Sequence, residues 1–101
     1  MAEDRHIYGE IANKTDLKKV FSAIRHGIDE ADSRPALTEL YKRAGYLITL
    51  SHAPSWEKKF GDKATELRHT AESEFSTTVH QINRRAKRVG TEPDYDEHWG
   101  E

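Results

Sequence analysis

Apolar positions recur every three or four residues over most of this chain, the spacing that lays a single stripe along an α-helix. The first run, Leu17, Val20, Phe21, Ile24, Ile28 and Ala31, predicts a helix over about 15–31. Asn13 or Thr15, with Asp16, suits its first turn, where a side-chain oxygen can accept from an orphan backbone N–H. Asp32, Ser33 and Pro35 then stop one helix and start the next, because a first turn leaves unbonded the N–H that proline lacks. Leu37, Leu40, Tyr41, Ala44, Leu47 and Ile48 make the second stripe, and so short a connection folds the pair into an antiparallel hairpin. Gly45 within that stripe costs about 1 kcal/mol against alanine, which close approach of a neighbouring helix would offset.

His52, Ala53 and Pro54 break the pattern again, and Ser55 is expected to cap a short turn carrying Trp56 and Phe60 before Gly61 ends it. Asp62 is expected to cap the last helix, whose stripe runs through Ala64, Leu67, Ala71, Phe75, Thr78, Val79, Ile82, Ala86 and Val89. Gly90 falls just past its end, where a left-handed backbone commonly closes a helix. A helix of about 27 residues is ~40 Å long against ~25 Å for each arm of the hairpin, so its last third is expected to overhang. The segment from Arg5 to Ile11 has no strand to pair with and reads as coil. The expected fold is all-α: an antiparallel three- to four-helix bundle, helix hairpin plus a longer third helix, non-catalytic. An N-terminal arm (1–14), the bundle (15–90) and a tail (91–101) divide the chain.

Composition changes this picture in two ways. Of 101 residues only 18 are Leu, Ile, Val or Phe, close to the fraction below which disorder becomes plausible when net charge is high. The formal net charge is only −2, so a thin core is expected, and with it self-association into a homodimer. That net charge also averages two unlike parts. All 16 Lys and Arg precede residue 91, while five of the 18 acids, Glu92, Asp94, Asp96, Glu97 and Glu101, follow it; the body is +3 and the tail −5. The absence of cysteine excludes a disulfide framework and thiolate chemistry and suits a reducing compartment. With an acidic start and no run of ~20 apolar residues, a cytoplasmic protein without a membrane segment is expected.

Candidate chemistry is sparse. Glu66 and His69 form an E-x-x-H, which in di-iron bundles supplies two ligands from one helix face, and His26 with Asp29 has the spacing in reverse order. At 100° per residue, however, His69 lies about 160° and His80 about 180° from Ala71 at the centre of the apolar stripe, and the two are ~16 Å apart along the axis. They are expected on the solvent face, with no metal and no cofactor. No nucleophile elbow, phosphate loop or zinc-protease motif occurs, so no enzyme is expected.

The basic run Arg84, Arg85, Lys87 and Arg88 complements the dipole at a helix C-terminus and equally suits contact with an anionic partner. Tyr95 and Trp99, four apart among the tail acids, suit an anchor: rings to fill a groove and carboxylates to meet cations. Partner binding is therefore assigned to Arg84, Arg85, Lys87, Arg88, Tyr95 and Trp99 in a protein-interaction module, with the acidic tail able to fold back on the basic run. The alternative is a nucleic-acid accessory protein whose phosphate contacts add Lys18 and Lys19.

Overall fold

The computed structural model describes residues 11–93. Among these, the chain runs through α1 (Lys14–Ile28), α2 (Arg34–Ser51), α3 (Pro54–Phe60), a 3-10 turn (Gly61–Lys63) and α4 (Ala64–Val89), with no strand among the described residues. The all-α expectation holds, and α1, α2 and α4 pack against one another. None of these helices is long and apolar enough to cross a membrane.

The long axis of the protein is α4. Its 26 residues rise about 39 Å, close to the largest extent of the protein, 43 × 24 × 19 Å. Along it α1 runs in the same direction, with Lys14 beside Glu66 and Arg25 beside Glu74. The hairpin returns α2 in the opposite sense, so Arg34 lies near Asn83 and Lys87 while the Ser51 carbonyl meets Arg68.

The helix starts are decided by side-chain oxygens at two sites. Asn13 Oδ1 accepts from the Asp16 N–H at 2.9 Å, and Asp16 answers by accepting from the Ala12 N–H at 3.0 Å. Ser33 Oγ accepts from the Ala36 N–H at 3.4 Å, with Pro35 in the first turn. At the other two starts the sequence expectation fails. Ala53 precedes α3 and Lys63 precedes α4, neither with a side-chain cap. Ser55 lies inside α3, one residue after Pro54, and so is not at the N-cap position, and Asp62 lies inside the 3-10 turn whose own i→i+3 bond leads into α4.

Helix α1 ends at Ile28 rather than Ala31, yet Ala31 is buried and its N–H bonds the Ile28 carbonyl at 3.1 Å. The C-terminus of α4 closes as Gly90 predicts: φ is +77°, and the N–H groups of Gly90 and Thr91 both bond the Ala86 carbonyl, at 2.9 and 3.1 Å. α4 is unbroken through Ser76–Thr78, and its last third does not overhang. The α1–α2 connection covers it: Arg85 donates to the Ala31 carbonyl and Ala86 is buried.

The buried core combines large side chains from α1 and α2 (Leu17, Phe21, Ile24, Ile28, Leu37, Leu40, Leu47) with a mostly small-residue stripe of α4 (Ala64, Leu67, Ala71, Ile82, Ala86). Trp56 is fully buried under the start of α4, its Nε1 donating to the Ala64 carbonyl at 3.0 Å and its ring meeting Phe60 edge-on at 4.6 Å. The close helix approach is at Gly27, where an added Cβ would stand 3.1 Å from a Leu40 methyl. Gly45 is buried. Ile11, the only part of the expected coil 5–11 within the described residues, is indeed outside any helix, but it is fully buried. Burial beside Phe75 pushes the Tyr41 phenol above its ordinary value.

Two stability measurements check this account by urea denaturation. Ile11→Ala is expected to cost about 2–5 kcal/mol, as a core truncation does. Asn13→Ala is expected to cost about 1 kcal/mol, while Ser55→Ala and Asp62→Ala stay within about 0.5 kcal/mol because neither side chain caps a helix.

Candidate interaction surface

The last two turns of α4 hold the basic run, and the helix itself arranges it. With Ala86 facing the core, successive steps of 100° place Arg84 and Arg88 nearly in line on the outward face, Arg85 on one flank and Lys87 on the other. Arg84, Lys87 and Arg88 are exposed and make no ion pair among the described residues, whereas Arg85 is half-buried. The Arg85 Nε donates to the Ala31 carbonyl at 2.8 Å. The run is thus divided between one arginine that holds the α1–α2 connection and three cations presented to solvent.

Two grooves flank these turns. On the α1 side, Arg84, Arg85 and Arg88 line a groove with Gln81, Ile28 and Asp29. On the α2 side, Lys87, Asn83 and Ala86 line another with Arg34, Thr91 and Glu92. Arg34 is a partner of the basic run that sequence reasoning missed. Its signal is available in retrospect: a cation in the first turn of α2, with no acid there, sits where the helix dipole disfavours it.

Other charged side chains tie helices together. Arg25 Nη1 donates to Glu74 at 2.8 Å, with both side chains about four-fifths buried. The buried Thr78 hydroxyl donates to the Glu74 carbonyl at 2.7 Å. Arg68 donates to the Ser51 carbonyl that ends α2 and reaches Glu57 of α3 at 3.4 Å. The Arg25 and Arg68 bonds place charge-assisted contacts where two elements meet, the stronger kind of hydrogen bond.

The E-x-x-H residues face solvent. His69 and Glu66 are exposed, Glu66 pairing loosely with Lys14 at 4.0 Å, and His26, Asp29 and His80 are exposed too. Among the described residues no three His, Asp or Glu side chains converge as metal ligands would. Lys18 and Lys19 are exposed near the start of α1, at the far end of the bundle from the basic run. Tyr95 and Trp99, and the arm before Ile11, lie outside the described residues. No known protein family, no curated protein and no solved structure matches the chain.

The division of the basic run is measurable. Arg85→Met leaves the Ala31 carbonyl without its donor and is expected to cost about 1–3 kcal/mol in urea denaturation. Arg84→Ala and Arg88→Ala are expected to stay within about 0.5 kcal/mol, as surface substitutions away from packed or bonded groups do; neither has an ion pair among the described residues.

Proposed function

We propose that this chain is a small, non-catalytic, cytoplasmic helical protein-interaction module that self-associates and offers the basic end of its last helix to an acidic protein partner. The observation that carries this reading is the exposure of Arg84 and Arg88 on the outward face of α4 and of Lys87 on its flank, beside an Arg85 committed to the Ala31 carbonyl. A pre-oriented row of cations lowers the ordering cost of meeting carboxylates. Tyr95 and Trp99 add rings of the kind that anchor interfaces.

An acidic protein suits this end better than a nucleic acid. Asp29 shares the groove with Arg84, Arg85 and Arg88, and Glu30 and Asp32 follow it in the connection. A duplex carries one charge per ~1.7 Å and would lay phosphates across these acids, whereas a protein can place single carboxylates on single cations. Self-association is supported by the thin core and by Tyr41, Ile48 and Phe75, which remain only partly covered. The lack of cysteine supports a reducing compartment.

Co-purification from nuclease-treated native extract, using the full chain beside Arg84→Glu/Arg88→Glu, tests the reading. A protein retained by the natural chain and lost from the variant is the expected outcome. Retention that nuclease abolishes would transfer the assignment to nucleic acid. Light scattering on a sizing column is expected to give twice the chain mass of 11.6 kDa, and a monomer at all concentrations would remove the self-association.

A further inference from the structure

We infer, resting on the proposed use of the basic end by a protein, that the groove between α1 and the last turns of α4 binds a phosphorylated serine or threonine side chain of that partner through Arg84, Arg85 and Arg88. Helix geometry brings the three together. Gln81, Arg84, Arg85 and Arg88 fall within about 100° around α4, on the side toward α1, over a rise of about 10 Å. They line an open groove of about 290 Å³ with Ile28 and the exposed Asp29. That volume is at the small end for ligand sites and suits a single side-chain group better than a whole cofactor.

The donors in this groove are oriented and largely unbonded. Arg85 gives only its Nε–H to the Ala31 carbonyl, at 2.8 Å. The bond that fixes this guanidinium therefore leaves four of its five N–H groups without a protein partner among the described residues. Arg84 and Arg88, exposed and about 6 Å apart along the axis, make no hydrogen bond or ion pair among the described residues. A carboxylate is planar, and one guanidinium fork satisfies its two oxygens. A phosphomonoester presents three terminal oxygens and carries close to two negative charges at neutral pH, which several forks from different directions match.

Donor type sets this groove apart from its neighbour, where one guanidinium, Arg34, and the ammonium of Lys87 lie with Glu92; an ammonium is a point charge without the fork. Three arginines against Asp29 keep the α1-side groove positive even after the C-terminal ends of α1 and α4 add about half a negative charge each. A single phosphate also avoids what counts against a polyanion. It can face the arginines while Glu30 and Asp32 stay outside the groove lining, whereas successive phosphates would meet them. The consequence is an interaction switched by modification of the partner, with no change in this chain.

Fluorescence anisotropy of the full chain with short labelled peptides of otherwise neutral sequence tests this, the central position carrying phosphoserine, serine or two aspartates of matched charge. The phosphoserine peptide is expected to bind about tenfold more tightly than the two-aspartate peptide, the ratio that one further charge-assisted hydrogen bond supplies, and the serine peptide most weakly. Arg84→Ala/Arg88→Ala, with its urea midpoint unchanged, should erase that ratio, and Arg34→Ala/Lys87→Ala should keep it. Equal affinity for the two charged peptides would overturn the inference, as would loss of the ratio in the second variant alone. Inorganic phosphate competing as well as unlabelled phosphoserine peptide would overturn it in favour of a small phosphorylated molecule, and tighter binding of a single-stranded DNA of matched charge in favour of nucleic acid. In native extract, phosphatase treatment is expected to abolish the nuclease-resistant co-purification. Retention that survives phosphatase overturns the phosphate inference and leaves the acidic-partner reading standing. A phosphoserine preference with no protein retained fails that reading and leaves the chemistry of the groove standing.

Discussion

With only eighteen Leu, Ile, Val and Phe side chains in 101 residues, the packed elements draw on one shared core in which each of them meets the stripe of α4. The stripe is made mainly of small residues, with Ala64, Ala71, Thr78 and Ala86 buried beside Leu67 and Ile82. Bulk comes from the facing helices, in Phe21, Leu17 and Ile28 on one side and Leu37, Leu40 and Leu47 on the other. Large against small is the pairing that fills space between helices without voids. It also explains why α1 and α2 touch each other closely at Gly27, where no side chain separates them from Leu40.

A small-residue stripe specifies sliding along its axis only weakly, and polar ties supply what apolar packing lacks. Arg25 fixes α1 against Glu74, Arg68 holds the end of α2 and reaches α3, and Arg85 holds the α1–α2 connection. Two of these bonds end on backbone carbonyls: that of Ser51 at the end of α2, a group a helix leaves without an intrahelical partner, and that of Ala31 in the α1–α2 connection. An Arg can serve there because its fork directs several N–H groups from a stem that packs along apolar surface. This use of arginine governs the candidate surface as well. The basic run of α4 is a structural tie at Arg85 and solvent-facing cations at Arg84, Lys87 and Arg88.

Much of the fold was legible from spacing. The stripes of α1, α2 and α4 are visible at three- and four-residue intervals, and the caps at Asn13, Ser33 and Gly90 follow from residue type because their bonds are local. Ser55 and Asp62 were misread for a definite reason: a capping residue type needs the right backbone offset, and Pro54 and the 3-10 turn shift that offset by one or two residues. Ile11 could not be placed, since an isolated apolar residue outside a periodic run carries no signal until its pocket exists. For the surface, the four basic positions stood out as a run, while Arg34, 50 residues away in sequence, joins them only across the bundle.

The sequence by itself determined which faces are apolar, where three helices begin or end, and that a basic helix end precedes an acidic segment. Periodicity and capping are properties of neighbouring residues, and the chain carries them before it folds. Tertiary structure alone decided that the α1–α2 connection covers the last third of α4, that Arg85 is committed to a carbonyl, and that Arg34 and Lys87 line one groove. These depend on where distant segments meet along the shared stripe, and that meeting is set by side-chain volumes filling one core together rather than by any local pattern.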